Sequence, residues 1–448
     1  MSFSMQWPLV SALLGIFAFN SRLPWLALVA LAPLFFFFIV EEKIGRLIGG
    51  VIIFRLVFLL GTVYFIGDPL LYLISTGLFL GLPVTIWFLK KYTSKIFMLI
   101  SLPLWWVIWD LAQARWTPLP TAIVMWGNAL AETSLVGLSR FGGIVGLTFF
   151  AITINVGWVW LGLMWRNQFR RSVIITMASM LIGGWIFSSS VLLANNNQYR
   201  QRKNQATLTL VATPVVYTDP TQIPFIISEL PAADLTVLPE NLYESDLENY
   251  SEVFRWHKQQ AIENQRSILG AFLRKENERV YMSAALFQPN GSSEIYNKKY
   301  LTITSETWPF DSWQPFYFQY GHNLDQRRAI FDRRYEHAAG EPKLLEQGNL
   351  KIATPICSEL HYPYYIKILD SLGPNIVLHN SNNTWITYHR DQYLQLTNKL
   401  RRITAVWLQK PVAVTGISDY AGVFYPDGSR QLVYPHNGYV TFQTNISF

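Results

Sequence analysis

The chain has 448 residues, enough for two or three domains, of which 51% are hydrophobic and 15% charged. Its mean hydropathy of +0.20 is too high for a wholly water-soluble protein. The formal charge is +7, but several basic residues sit in short clusters between apolar runs, a membrane-topology pattern, and no nucleic-acid motif is present, so nucleic acid is not an expected partner.

Apolar runs long enough for membrane spans fall near residues 7–21, 24–40, 47–66, 69–89, 96–113, 141–164 and 173–194. The first is short and has neither a basic leader nor an Ala-x-Ala-like cleavage site, so it reads as a retained helix. An odd number of spans puts the two chain ends on opposite sides. Lys43, Arg46, Lys90, Lys91, Lys95, Arg166, Arg170 and Arg171 flank the spans on one side, against Arg22, Arg115 and Arg140 on the other. That asymmetry predicts a cytoplasmic N-terminus and an external C-terminal domain, periplasmic in a bacterium with two membranes. Gly142 and Gly146 form a small-xxx-small pair of the kind that lets helices pack closely. Arg55 and Asp110 lie in or beside apolar runs, where a charge either carries a function or snorkels to the interface.

The apolar character stops at Asn195-Asn196-Asn197-Gln198, which predicts a transmembrane helical domain of about seven spans over 1–195 and a second domain over 206–448. In the second domain, Thr207–Val211, Asp234–Leu238, Val280–Phe287, Lys351–Ile356, Ile376–His379 and Val412–Thr415 read as strands. Stretches near 246–276 and 390–409 read as helices, and Pro426-Asp427-Gly428 as a turn. This alternation predicts an α/β domain.

Cys357, the only cysteine, excludes an intramolecular disulfide and a Cys-rich metal site. It closes the apolar run Lys351-Ile352-Ala353-Thr354-Pro355-Ile356 and is followed by Ser358-Glu359. A thiol at a strand end sits where backbone N–H groups and side chains of other segments converge; alone, it could equally be a small buried hydrophobe. Glu240 ends the run Asp234-Leu235-Thr236-Val237-Leu238-Pro239 and is placed to take a thiol proton. Tyr296-Asn297-Lys298-Lys299-Tyr300 offers an ammonium that could lower a thiol pKa and stabilise an oxyanion. Alone, Glu240 reads as a solvated loop residue and the Lys pair as a wet surface.

The order Glu after a strand, Lys after Tyr-Asn, Cys after a strand resembles the nitrilase superfamily over about 206–448, and so implies an α-β-β-α sandwich with a Glu-Lys-Cys triad. A membrane bundle ahead of such a domain resembles the apolipoprotein N-acyltransferase family more narrowly. Tyr296-Asn297-Lys298 with Glu306 eight positions on, Ile356-Cys357-x-Glu359, Asn380-Ser381-Asn382-Asn383-Thr384-Trp385 and Gly142-Gly143-Ile144-Val145-Gly146-Leu147 all look like that family's blocks. The resemblance implies Cys357 as nucleophile, Glu240 as base and Lys298 as oxyanion partner. It also implies substrate-side roles for Glu306, Ser358, Glu359 and Trp385. The implied reaction takes an acyl chain from a phospholipid onto Cys357 as a thioester and passes it to the N-terminal amine of a lipoprotein at the bacterial inner membrane. No metal or nucleotide motif is visible, and no cofactor is expected.

The chain departs from that family at three places. Ser358 follows the nucleophile where an aromatic residue is usual, Val211-Ala212-Thr213-Pro214 and Tyr217-Thr218-Asp219 replace Gln-Gly-Asn and Lys-Trp-Asp, and the sequence given ends at Asn445-Ile446-Ser447-Phe448 after a strand-like run. Shortened relatives among conjugal-transfer proteins, the TraB group, look similar. They imply an alternative: an acyltransferase or amidase acting on another acceptor, with conjugative-transfer proteins as partners. A third reading is a membrane scaffold without activity.

Overall fold

The computed structural model describes residues 5–20, 23–64, 69–116, 121–164, 170–217, 227–242, 250–276, 279–301, 338, 342–384, 386, 389–436 and 438–448. Glu306 and Trp385 lie outside the described residues. The chain divides into two compact units, Met1–Asn196 with Ile386–Leu408, and Asn197–Trp385 with Gln409–Phe448.

The first unit is helical: α1 (Gln6–Asn20), α2 (Ala32–Val40), α3 (Ile44–Thr62), α4 (Pro69–Phe79), α5 (Gly81–Tyr92), α6 (Lys95–Trp116), α7 (Gly143–Leu163) and α8 (Arg170–Arg200). Among the described residues, five stretches, Ile44–Thr62, Tyr72–Tyr92, Lys95–Ala114, Gly143–Leu163 and Arg171–Arg200, are long and apolar enough to cross a membrane, the mark of an integral membrane protein. The first two apolar runs form shorter helices. Phe19, Phe54, Phe58, Trp106 and Trp126 meet mostly edge-on or tilted in its core, the geometry that ring quadrupoles favour.

The second apolar run is not one helix. A 3₁₀ segment over Pro24–Leu28 gives way to α2, and a break in an apolar setting leaves backbone groups that water cannot satisfy. Asn155 of α7, fully buried, supplies the partners: its Nδ2 donates to the Ala27 carbonyl at 2.8 Å and its Oδ1 accepts from Leu31 N at 2.7 Å. Arg55 and Asp110 do not snorkel; both are buried. Arg55 donates to Gln113 Oε1 at 3.0 Å and Ser75 Oγ at 3.3 Å, with its guanidinium over the Phe79 ring, so side chains of α3, α4 and α6 share one polar cluster. The close approach near the Gly142/Gly146 pair belongs to Gly143: φ is +61° there, and a Cβ would lie 2.4 Å from the Trp407 ring.

Trp407 belongs to α11 (Arg390–Leu408), which follows α9 (Tyr250–Glu263) and α10 (Pro363–Ser371) in the chain but packs within the helical unit. Its polar side chains satisfy carbonyls at the ends of other helices. Lys399 Nζ donates to Phe19 O in the last turn of α1 at 2.8 Å, Gln392 Nε2 to Thr62 O at the end of α3 at 2.8 Å, and Arg402 Nη1 to Ala131 O at 2.7 Å. Phe19 and Thr62 lie in last turns, and Ala131 near the end of the 3₁₀ segment Trp126–Glu132, where helix carbonyls are left without intrahelical donors and a cation meets the negative end of the dipole.

The second unit holds two six-stranded sheets. The first contains β1 (Gln205–Ala212), β2 (Leu235–Glu240), β3 (Ser267–Glu276), β4 (Arg279–Phe287), β5 (Ser293–Asn297) and β12 (Val440–Ser447), in the order β12-β1-β2-β3-β4-β5. The second contains β6 (Leu345–Gln347), β7 (Leu350–Ala353), β8 (Ile376–Asn382), β9 (Val412–Ile417), β10 (Ala421–Phe424) and β11 (Arg430–Val433), in the order β11-β10-β9-β8-β7-β6. At each centre three strands run parallel, β1-β2-β3 and β7-β8-β9, with antiparallel strands outside them. Inner strands such as Leu235–Glu240 and Val412–Ile417 are buried along their whole length, as strands covered on both faces must be. Helix α9 packs Val253 and Ala261 into a core with Ile268, Phe272, Ala285 and Phe287. The Pro426-Asp427-Gly428 turn joins β10 to β11, with Gly428 at φ +78° and Asp427 Oδ1 accepting from Ser429 N at 2.9 Å.

Two segment expectations are corrected. The stretch 246–276 is not one helix: α9 stops at Glu263, Gln265 takes φ +49°, and Ser267–Glu276 is β3. Ile268-Leu269-Gly270-Ala271-Phe272 is buried on both faces, and a continuous apolar run carries no periodicity to separate strand from helix. The strand expected over Lys351–Ile356 ends at Ala353, because Pro355 has no N–H for a ladder. Ile356 returns to the sheet only through an isolated bridge to Asn380.

Candidate active site

The three segments singled out for chemistry come from both sheets of the second unit. Glu240 is the last residue of β2, buried and opposite Ala271 after a register shift that begins at Val237. Asn241 then turns with φ +47° and donates its N–H to Ala271 O at 2.8 Å, so the strand ends sharply at the carboxylate. Glu240 is therefore not a solvated loop residue.

Lys298 follows β5 and is fully buried, while Lys299 is only part-buried. The backbone of Lys298 extends the sheet, donating to Met282 O at 2.7 Å. Asn297 holds the turn on the other side, its Oδ1 accepting from Ser283 Oγ at 2.7 Å and Arg274 Nη2 at 3.3 Å.

Cys357 has φ +50°, a left-handed conformation disfavoured for residues with a Cβ and concentrated at functional sites. It opens a 3₁₀ turn, Cys357–His361, in which Ser358 is the second residue and buried.

Glu359 joins the lysine segment to the cysteine segment. It is fully buried. Its Oε1 accepts from Tyr296 Oη at 2.6 Å, Lys299 N at 2.7 Å and Tyr300 N at 3.2 Å, and its Oε2 accepts from Ile356 N at 2.9 Å, one residue before Cys357. Tyr365 extends the chain of bonds, 2.8 Å from the Tyr296 hydroxyl, and Tyr300 stacks on Tyr362. Burial pushes the Glu359 carboxyl above the usual range, while the nearby Lys298 ammonium and the donors on its oxygens pull it back. Burial, together with the Glu359 charge, holds the Tyr296 hydroxyl well above its ordinary pKa, so it is a permanent donor.

Strand β8 contributes two further contacts. His379 Nε2 lies 2.8 Å from the Cys357 carbonyl, and Asn380 Nδ2 donates to Leu238 O at 2.6 Å. Further along, Ser381 Oγ and Asn383 Nδ2 both donate to Asp419 Oδ2, at 2.6 and 2.9 Å. The sequence pattern singled out neither His379, Tyr365 nor Asp419 as a site residue, because their bonds to backbone or to one another leave no spacing signature. Among the described residues, no group of three His, Cys, Asp or Glu side chains could hold a metal ion.

A buried carboxylate at the end of β2, a buried ammonium after β5 and a cysteine in a left-handed backbone conformation after β7 are the residue types from which nucleophilic catalysis is built. Residues 224–416, which fall in the part of the chain after the apolar helices, match the family model described as carbon-nitrogen hydrolase. Over 166 residues it is 28% identical to Apolipoprotein N-acyltransferase 1 of Treponema denticola, a match spanning 36% of this chain and 29% of that relative. Similar solved structures include a CN-hydrolase superfamily protein of Xanthomonas campestris with an arsenic adduct in its active site (17% identity, 55% of this chain, 91% of that chain, TM-score 0.41). A second is a nitrilase-superfamily amidase of Nesterenkonia (13% identity, 55% and 93% of the two chains, TM-score 0.41).

Proposed function

We propose that this protein is a membrane-bound acyltransferase that forms a thioester on Cys357 from a phospholipid and delivers the acyl group to the N-terminal amine of a lipoprotein. Glu240 takes the thiol proton; the sulfur attacks the ester carbonyl, the bond to the glycerol oxygen breaks, and the lysophospholipid leaves with a proton. The amine then attacks the thioester, an amide forms and the thiol is restored. Two steps replace one difficult ester-to-amide exchange. Lys298 and backbone N–H groups of the turn at Ser358 stabilise the oxyanion in both steps, and Glu306 and Trp385 complete the substrate side.

The observation that carries this reading is the Glu359 clasp, which ties the Lys298 turn to the Cys357 turn inside the region that matches the carbon-nitrogen hydrolase model, in a chain with five helices of membrane-crossing length among its described residues. Both substrates then reside in the bilayer that holds the enzyme, with the catalytic unit on the periplasmic side. The test is intact-mass spectrometry of detergent-purified protein after incubation with phosphatidylethanolamine, beside Cys357→Ala. A hydroxylamine-sensitive acyl mass on the parent chain alone supports the reading; no adduct on the parent, or one that persists in Cys357→Ala, overturns it.

A further inference from the structure

Glu240 and Cys357 ride on different sheets, so something must hold the two backbones in register. The contacts that do so come from β8, a strand that carries none of Glu240, Lys298 and Cys357. Its Asn380 donates to the carbonyl of Leu238, two residues before Glu240, at 2.6 Å. Its His379 lies with Nε2 2.8 Å from the carbonyl of Cys357 itself. A carbonyl oxygen only accepts, so the ring nitrogen facing it carries the proton. Successive strand side chains point to opposite faces, and that alternation lets adjacent residues reach different segments. The bridge between Asn380 and Ile356 brings the strand alongside the residue before the nucleophile. Both side chains are buried, 1% and 0% exposed, so water does not compete for either bond. Cys357 needs such a hold: at φ +50° its backbone sits in a region that a residue with a Cβ leaves unless its surroundings keep it there.

We propose that His379 and Asn380 are positioning residues which set the separation and aim of Cys357 and Glu240, His379 by fixing the strained nucleophile turn and Asn380 by fixing the end of β2. The proposal rests on reading Cys357 as nucleophile and Glu240 as its base. It does not depend on which acyl donor is used.

The experiment measures alkylation of Cys357, the only thiol, by iodoacetamide in the full chain in detergent, followed by intact mass. The variants are His379→Ala, His379→Gln, Asn380→Ala and Glu240→Gln, with the His379→Ala, Glu240→Gln double variant. Thermal melting selects those that keep the parental fold. Loss of one hydrogen bond should slow alkylation about tenfold in His379→Ala. His379→Gln, which keeps an N–H donor, should return to within about threefold of the parent on the same scale. Asn380→Ala should be slowed as well, and the His379 effect should shrink once Glu240 is already Gln, because both act on one proton transfer. The proposal is overturned if folded His379→Ala reacts at the parental rate, if Gln does no better than Ala, or if the effect is undiminished in the double variant. Iodoacetamide needs no acyl donor. A His379-dependent rate in a chain that forms no adduct with phosphatidylethanolamine would sink the acyl-transfer reading and leave the positioning standing.

Discussion

Glu359→Gln is the sharpest perturbation of the clasp, because it keeps shape and volume and changes only charge and one acceptor. Four donors converge on the two carboxylate oxygens, three on Oε1 and one on Oε2. A carboxylate accepts at both oxygens; an amide accepts at one. Whichever way the Gln amide is turned, its NH₂ faces either Ile356 N–H or the cluster of Tyr296, Lys299 and Tyr300. The better orientation loses the bond to Ile356 N and opposes two donors, leaving a buried N–H unsatisfied at a cost of about 1–3 kcal/mol. It also removes the negative charge near the buried Lys298, an attraction that burial makes stronger than it would be in water. Even about 1–3 kcal/mol is an appreciable part of a typical domain stability of about 5–15 kcal/mol. Amide hydrogen exchange should show the loss at Ile356 to Ser358 and at Lys299 to Tyr300, with acyl-enzyme formation lost in parallel. If Glu359→Gln left exchange, thermal stability and acylation unchanged, Glu359 would be carrying a proton already, and the clasp would not be a charged one.

Further outcomes follow from other contacts. Lys298→Met should abolish acyl-enzyme formation, whereas Lys299→Ala, whose role runs through its backbone N–H, should stay within about twofold; equal losses in a phospholipid acylation assay would contradict the assignment. His257, packed against the rings of Phe272 and Phe287 with Nδ1 on Val253 O, has its pKa lowered by burial to about 4 from 6.5. Since the unfolded chain binds that proton more readily, stability should be full above about pH 6.5 and fall by about 3 kcal/mol as the pH drops to about 4. A His257→Phe chain should lose part of this acid sensitivity in pH-dependent melting, and an unchanged profile would count against it. Lys399→Met should cost about 1–2 kcal/mol by removing the bond to Phe19 O at the end of α1, read as a lower melting temperature that Lys399→Arg largely restores.

The sequence showed most where chemistry or hydropathy is written locally. Apolar runs marked the helices of the first unit, and β2 and β8 announced themselves as apolar segments ending in polar residues. Ser267–Glu276 did not, because a strand buried on both faces lacks the alternation that separates it from a helix. The strands β6, β10 and β11, of three or four residues each, are too short to carry a pattern. In the candidate site, the Cys357-Ser358-Glu359 segment was legible as polar residues following an apolar run, and Tyr296-Asn297-Lys298 as an available ammonium in a block that resembles the family's. The bonds from His379, Asn380 and Glu359 to backbone atoms were not, since any segment offers carbonyls and N–H groups and only the folded chain shows which are reached. Arg55 was ambiguous for the same reason: its partners Ser75 and Gln113 are ordinary residues 20 and 58 positions away.

Helix α11 bears on how far this protein can be treated as modular. Strands β8 and β9 are parallel neighbours, and parallel neighbours need a crossover; here the crossover is a helix whose Lys399, Gln392 and Arg402 are spent on carbonyls of the helical unit. The chain thus leaves the second unit after Trp385 and re-enters it at Gln409. Cutting between Asn196 and Asn197 would not release a self-sufficient enzyme. The fragment would carry away a helix bearing buried Leu394, Leu400, Ile403 and Val406 and strip it of its bed, leaving a sticky soluble piece and an uncapped membrane remnant. Grafting the second unit onto another anchor would therefore require redesigning the surface of this helix.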